Sequence, residues 1–164
     1  MSDPNEASFY AAVAAFNDSS ARERFLELYA SDVVLHGYPR GIEGIGGARE
    51  FYSELWSAFP DARIQLDETL VSDDRLAARY TLSGGVQAQD FYGSSATGAA
   101  TNIEGIVWLR FKDGYVVEVW QASGTLDTLT RLSARATKSL TRHSASADAA
   151  ALRWEETHSE PDPS

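Results

Sequence analysis

Between Ala48 and Leu82 the spacing of apolar side chains changes from three-and-four to two. Ala48, Phe51, Tyr52, Leu55, Trp56 and Phe59 fall at i, i+3, i+4, i+7, i+8 and i+11, one continuous stripe on a helix. Pro60 cannot continue that helix. Beyond it Ile64, Leu66 and Leu70 alternate with polar residues, Asp73-Asp74 makes a turn, and Leu76, Ala78, Tyr80 and Leu82 alternate again. Thr101 to Phe111 and Tyr115 to Ala122 read as two further strands joined at Lys112-Asp113-Gly114. A helical half followed by a run of strands predicts an α+β domain.

The amino-terminal side supplies the other helices. Asp3 is a cap, Pro4 suits the first helical position, and Glu6 is placed to answer back to the cap. Phe9, Val13 and Phe16 follow at helical spacing. Ser20-Ala21-Arg22-Glu23 repeats the capping logic before Phe25, Leu28 and Tyr29, with Ser31-Asp32 as the stop and Val33 to His36 as a short strand. The glycines between Gly37 and Gly47 mark a tight connection; no Lys-Ser/Thr follows them, so they are not a phosphate-binding loop. Gly84 to Ala100 is a long loop or a broken strand. Leu126, Leu129 and Leu132 predict a last short helix. From Ala134 the composition shifts to Ala, Ser and Thr, which divides the chain into a domain over 1–133 and a peripheral tail over 134–164, partly helical around Ala147 to Glu156, with Leu152 and Trp154 able to dock on the body. The expected architecture is a curved antiparallel sheet wrapped around helices, leaving a conical central cavity.

Composition narrows the function classes. A net charge of −10 argues against nucleic-acid and anionic-membrane partners. The absence of cysteine removes disulfides, thiol catalysis and Cys-ligated metals. The acidic, polar start Met1-Ser2-Asp3-Pro4-Asn5-Glu6 is unlike a secretory signal, and no apolar run approaches the roughly 20 residues of a membrane span, so a cytoplasmic protein is expected. Four Trp, seven Tyr and seven Phe suit either an ordinary core or an aromatic-lined cavity.

Five segments in order resemble a known family. Tyr29-Ala30-Ser31-Asp32-Val33-Val34-Leu35-His36, Gly41-Ile42-Glu43-Gly44, Phe59-Pro60-Asp61-Ala62, Phe91-Tyr92-Gly93 with Ala96-Thr97-Gly98, and Lys112-Asp113-Gly114-Tyr115-Val116-Val117-Glu118-Val119-Trp120 are similar to SnoaL-type polyketide cyclases of the NTF2-like superfamily. The likeness runs from Tyr29 to Leu132. It implies a homodimeric, cofactor-free acid-base enzyme acting on a hydrophobic carbonyl compound, often by intramolecular aldol closure. The chain departs from the family at two places: Gly124 stands where the catalytic aspartate is expected, and Gln87 where a histidine commonly precedes the Phe-Tyr-Gly loop. Asp127 is the nearest acidic substitute.

A three-residue loop at Lys112-Asp113-Gly114 sorts the hairpin into two faces by parity. One carries Val107, Leu109, Phe111, Val117 and Val119. The other carries Glu104, Ile106, Trp108, Arg110, Val116, Glu118, Trp120 and Ala122, together with position 124, where the family aims its acid inward. On that register Trp108, Trp120, Glu104 and Glu118 line the pocket, and a carboxylate among indoles has its pKa raised toward neutrality. The plainer alternative is a Glu118–Arg110 pair within the sheet. His36 is the one histidine of the predicted domain, since His143 and His158 fall in the tail. Its ordinary pKa suits proton transfer near pH 7, and related NTF2-like enzymes such as ketosteroid isomerase place their base nearby. A lone histidine predicts no metal site. Tyr38, Tyr80, Asn102 and Gln87 are candidate donors to an enolate oxygen. Phe9, Phe51, Leu55, Trp56, Phe59 and Phe91 are the expected apolar lining.

Three functions are compatible with these residues. One is a cofactor-independent cyclase, isomerase or lyase acting on a polyketide- or terpenoid-like carbonyl compound, with His36 carrying the proton and Glu104 or Glu118 assisting. The second is a non-catalytic pocket protein for a small hydrophobic molecule. The third is an epoxide-opening hydrolase using Asp90, Arg110 and Asp127.

Overall fold

A computed structural model describes residues 3–124 apart from positions 94, 97 and 99. Asp127, the helix expected at Leu126 to Leu132 and the tail from Ala134, with His143 and His158, lie outside the described residues. The elements in order are α1 (Pro4–Phe16), a 3-10 helix (Arg22–Leu28), β1 (Tyr29–His36), α2 (Gly44–Ala58), β2 (Arg63–Ser72), β3 (Arg75–Val86), β4 (Ala100–Lys112) and β5 (Tyr115–Ser123). One curved, open sheet carries the strands in the order β1-β5-β4-β3-β2. Four strands are antiparallel neighbours, but β1 runs parallel to β5, so the sheet is mixed rather than antiparallel throughout. No helix among the described residues is long and apolar enough to cross a membrane.

Local chemistry accounts for most of these elements. Asp3 accepts from Asn5 N at 2.8 Å and Glu6 N at 3.3 Å, and Pro4 opens α1. Glu6 accepts from Thr69 of β2 instead of answering the cap. Phe9, Ala12, Val13 and Phe16 form the buried stripe. At the end of α1, Asn17 both donates to Ile64 O and accepts from Ile64 N, at 2.8 and 2.7 Å. That pair covers part of the free edge of β2, which would otherwise be open to pairing with another chain. The second helix departs from expectation. It is 3-10 and lacks a side-chain cap, because Ser20 turns toward Asp18 instead, and Tyr29 already begins the strand.

Two one-residue bulges set the faces of the sheet. In β2 the pairing shifts between Leu66 and Glu68, so Ile64 and Leu66 point inward while Leu70 turns outward, 67% exposed. In the β4–β5 hairpin Lys112 pairs with Tyr115, which makes the loop two residues, Asp113 and Gly114, both at positive φ. Arg110 then pairs with Glu118 and Phe111 with Val116, leaving Val117 as the extra residue. Val116 and not Val117 is therefore the buried partner of Phe111.

Phe16 is the centre of the helical layer. It is fully buried and meets the rings of Phe25 at 5.3 Å, Trp56 at 5.6 Å and Tyr52 at 6.3 Å. Its replacement by alanine is expected to lower stability by about 3–5 kcal/mol. Urea unfolding of Phe16→Ala checks this: the midpoint falls while the slope stays unchanged.

Candidate active site

The interior between α1, α2 and the concave face of the sheet holds a cavity of about 80 Å³. Phe9, Phe16, Phe51, Phe59 and Phe91 supply aromatic wall, with aliphatic wall from residues such as Leu82, Ile103 and Leu109. The polar groups on it are the phenols of Tyr29, Tyr52 and Tyr80, with Gln121 and Ser123. Among the described residues no carboxylate, imidazole or cation lines it.

The phenols form a connected cluster. Tyr52, on α2, lies 2.9 Å from the Tyr38 hydroxyl, and Tyr29 at the start of β1 also reaches it. Tyr80, from β3, has Tyr52 and Ser123 of β5 as polar neighbours, the first opposing its ionisation and the second favouring it. Burial pushes all four phenols above their ordinary pKa. In Tyr52 the two neighbouring hydroxyls work against burial, since both can donate to its oxygen. These groups are consequently neutral hydrogen-bond donors at any physiological pH.

The residues expected to carry protons lie elsewhere. His36, Glu118, Trp108 and Trp120 do not line the cavity; they form a network on the opposite, outer face of the sheet. Arg110 donates to Glu118 Oε2 through Nη2 at 2.7 Å and Nε at 3.1 Å, while His36 Nε2 stands 3.0 Å from Oε1. His36 stacks on Trp120, Trp120 meets Trp108 at 4.5 Å, and the Arg75 guanidinium lies over Trp108. Arg110 first, then His36, hold the Glu118 carboxyl below the usual carboxylate range. That is the reverse of the rise expected for a carboxylate among indoles, and its cause is the plainer Glu118–Arg110 pairing. Glu104 and Asn102 are exposed on β4.

Of the expected binding residues, Phe51, Phe59 and Phe91 line the cavity. Tyr38 packs edge-on against Phe51 behind it. Trp56 packs on Phe16 and Tyr52, outside the lining, and its buried Nε1 finds no acceptor among the described residues. Gln87 is buried and donates to Gln89 O at 2.9 Å. Asp90 accepts from Ala96 N in the loop, so it and Arg110 are not brought together. Gly124 follows β5, and a Cβ there would meet only Glu104 O at 3.8 Å, an ordinary contact. Tyr29, Tyr52, Gln121 and Ser123 are polar wall residues absent from the expected site; the parity that Gln121 and Ser123 share with buried Val119 is a signal for those two, and no local pattern marks the other two.

A helix-backed, half-conical sheet around an apolar cavity with a phenolic end is an NTF2-like domain. The chain belongs to the SnoaL-like polyketide cyclase family, whose sequence model matches residues 7–132. Similar solved structures include AclR, a proposed hydroxylase from Streptomyces galilaeus, at 26% identity and a TM-score of 0.65, covering 79% of this chain and 95% of that one. IdmH, a proposed polyketide cyclase from Streptomyces antibioticus, aligns at 25% identity and a TM-score of 0.62, covering 79% and 98%. TsrD from Streptomyces laurentii shares the fold at 23% identity and a TM-score of 0.66, covering 77% and 92%. No protein of curated function matches the chain in sequence.

The raised phenol pKa values carry a sign for stability. Unfolded tyrosines lose their protons near pH 10 while the buried ones keep them, so the folded state is progressively destabilised above that pH. Absorbance titration is expected to show Tyr29, Tyr38, Tyr52 and Tyr80 ionising only as the protein unfolds. In Tyr29→Phe/Tyr38→Phe the alkaline unfolding midpoint is expected to move up.

Proposed function

We propose that the protein is a cofactor-independent cyclase that binds a small apolar carbonyl compound and stabilises negative charge on one of its oxygens at the phenolic end of the cavity. The observation that carries this reading is Tyr52. It faces the cavity, its oxygen lies 2.9 Å from that of Tyr38 and can accept from it, and Tyr29 is a further phenol beside it. A phenol that accepts a hydrogen bond becomes a better donor of its own, because chains of hydrogen bonds polarise one another. Tyr80 stands near it and supplies a second phenol. Two preorganised neutral donors in a mostly apolar-walled site favour an oxygen that gains charge as the reaction proceeds over one that is neutral throughout.

The chemistry then follows from the donors. A carbon flanked by two carbonyls loses its proton to water as one carbonyl oxygen becomes an enolate held by Tyr52. The enolate carbon forms a bond to a second carbonyl carbon of the same chain. That carbonyl's π electrons pass to its oxygen, which takes a proton from water and becomes a hydroxyl. The described wall holds no base, so its part is to lower the enolate and alkoxide rather than to remove the first proton. His36, Glu104 and Glu118 take no part in this scheme.

Acetophenone is a suitable probe, since hydrogen–deuterium exchange at its methyl group passes through its enolate or enol and needs no ring closure. The wild type is expected to accelerate this exchange, and Tyr52→Phe to lower the rate by about 10²–10³, the usual loss on removing one oxyanion donor. Binding of acetophenone without accelerated exchange identifies a pocket protein instead. An unchanged rate in Tyr52→Phe removes the phenol from the mechanism.

We also infer a homodimer formed through the outer face of the sheet. Val34, Ile106 and Trp108 are exposed there, at 50%, 56% and 36%, and around them stand charges of both signs, Arg75, Arg79 and Arg110 with Asp67 and Glu118. A face that meets itself across a two-fold axis must be self-complementary, and this one carries both halves of its own ion pairs. Sedimentation is expected to give a dimer for the wild type and a monomer for Ile106→Glu/Trp108→Glu. A monomeric wild type overturns the inference.

A further inference from the structure

Tyr80, Gly105 and Ser123 occupy one rung of the sheet. Tyr80 of β3 pairs with Gly105 of β4, and Gly105 pairs with Ser123 of β5. All three face the concave side, where the Tyr80 phenol lies across the middle strand, toward Ser123 on the far one. The crossing is possible because position 105 has no side chain. A Cβ built there would stand 2.5 Å from both Cζ and Oη of Tyr80 and 3.0 Å from Cε1, distances at which one of the two must move. The backbone of Gly105 is not in the left-handed region. The residue is required for space, not for its conformational freedom, so an alanine there changes the position of the Tyr80 ring without straining the chain.

We propose that Gly105 is the specificity-determining position of this site: its empty slot lays the Tyr80 phenol flat across the sheet, so that the cavity keeps an apolar wall and a hydrogen-bonding end and selects a compact aromatic or alicyclic ketone over a hydrocarbon of the same shape. The inference rests on the carbonyl-binding reading above and names what decides it. With a side chain at 105 the Tyr80 ring tilts off β4 into a space of only about 80 Å³ and its hydroxyl leaves its place at the polar end. The cavity then loses one of its donors at the polar end, and the ketone oxygen is left without part of its bonding. An oxygen buried without a donor is penalised, whereas the hydrocarbon never needed one. Gly105 acts through Tyr80 and is a positioning residue.

The test uses a size-matched pair, 4-fluoroacetophenone and 1-ethyl-4-fluorobenzene, titrated into the full chain and followed by fluorine NMR. The wild type is expected to bind the ketone about tenfold or more tightly than the hydrocarbon, and Gly105→Ala to reduce that preference to about threefold or less. Tyr80→Phe and Ser123→Ala should reduce it in the same direction. In the Tyr80→Phe background Gly105→Ala should change the preference no further. If Gly105→Ala does not fold, Tyr80→Leu/Gly105→Ala should, because the clashing ring atoms are gone; failure of that rescue overturns the slot. A folded Gly105→Ala, or a Tyr80→Phe, that keeps the full preference overturns the proposal while leaving the carbonyl reading intact. Equal binding of the two ligands by the wild type, or binding of neither, overturns that reading and this inference with it.

Discussion

The extra residue in β5 governs which side chains meet the cavity. With Val117 bulged, Val116 and Phe111 are a buried pair, and from Glu118 onward the strand alternates outward and inward without interruption. Val119, Gln121 and Ser123 point inward and Glu118 and Trp120 outward. The two-residue turn at Asp113-Gly114 and the bulge are one device: the turn joins the strands tightly and the bulge corrects the parity that the turn imposes. Without it, Glu118 would be driven toward an interior where no cation among the described residues could meet it, a burial that costs several kcal/mol. The neutrality of the cavity is thus a consequence of register.

Local signals in the sequence were read correctly where local chemistry decides. The Asp3-Pro4 start, the Phe9, Val13 and Phe16 stripe, the long helical stripe of α2, and the alternation of Leu76, Ala78, Tyr80 and Leu82 all depend on neighbours within a few residues. Five short segments in the right order led to the family that the sequence model identifies over residues 7–132. Two local expectations failed, the Ser20 cap, which Asp18 draws away, and the three-residue loop at Lys112-Asp113-Gly114; the other failures depend on distant partners. Nothing near Tyr29 reveals that it begins a strand running parallel to β5, because that partner lies some ninety residues along. The bulge beside Asp67 turns Leu70 outward against a pattern that looked regular.

The inward face of the hairpin was misread for a physical reason. Alternation sorts residues into two sets but does not say which set is buried. Trp108 and Trp120 made the wrong set look like the wall of a pocket. In the structure those indoles are covered partly by each other, by His36 and by Arg75, so large apolar surface is accommodated on the outer face by stacking. The smaller aliphatic residues Val107, Leu109 and Val119 leave the volume that the phenols and phenylalanines fill. The site was partly legible all the same. Tyr38 and Tyr80 were among the candidate donors, and Phe51, Phe59 and Phe91 among the lining. Tyr52 was hidden in plain view, as one more aromatic on an apolar helical stripe.

Its double role links stability to function. Tyr52 packs its ring against Phe16, Phe25 and Trp56 while its hydroxyl meets Tyr38 and Tyr29. The aromatic layer that holds the helices together therefore also fixes the direction of the donor. A carboxylic acid in the same place would need either a cation or a neutral proton state to survive desolvation. A phenol needs neither, since burial only strengthens its preference for the form that donates. The cluster thereby gains donors that stay protonated and loses the ability to accept a proton. On the proposed reading, a cavity built this way would stabilise charge arising on the bound molecule and leave the first proton to water or to a group outside the described wall.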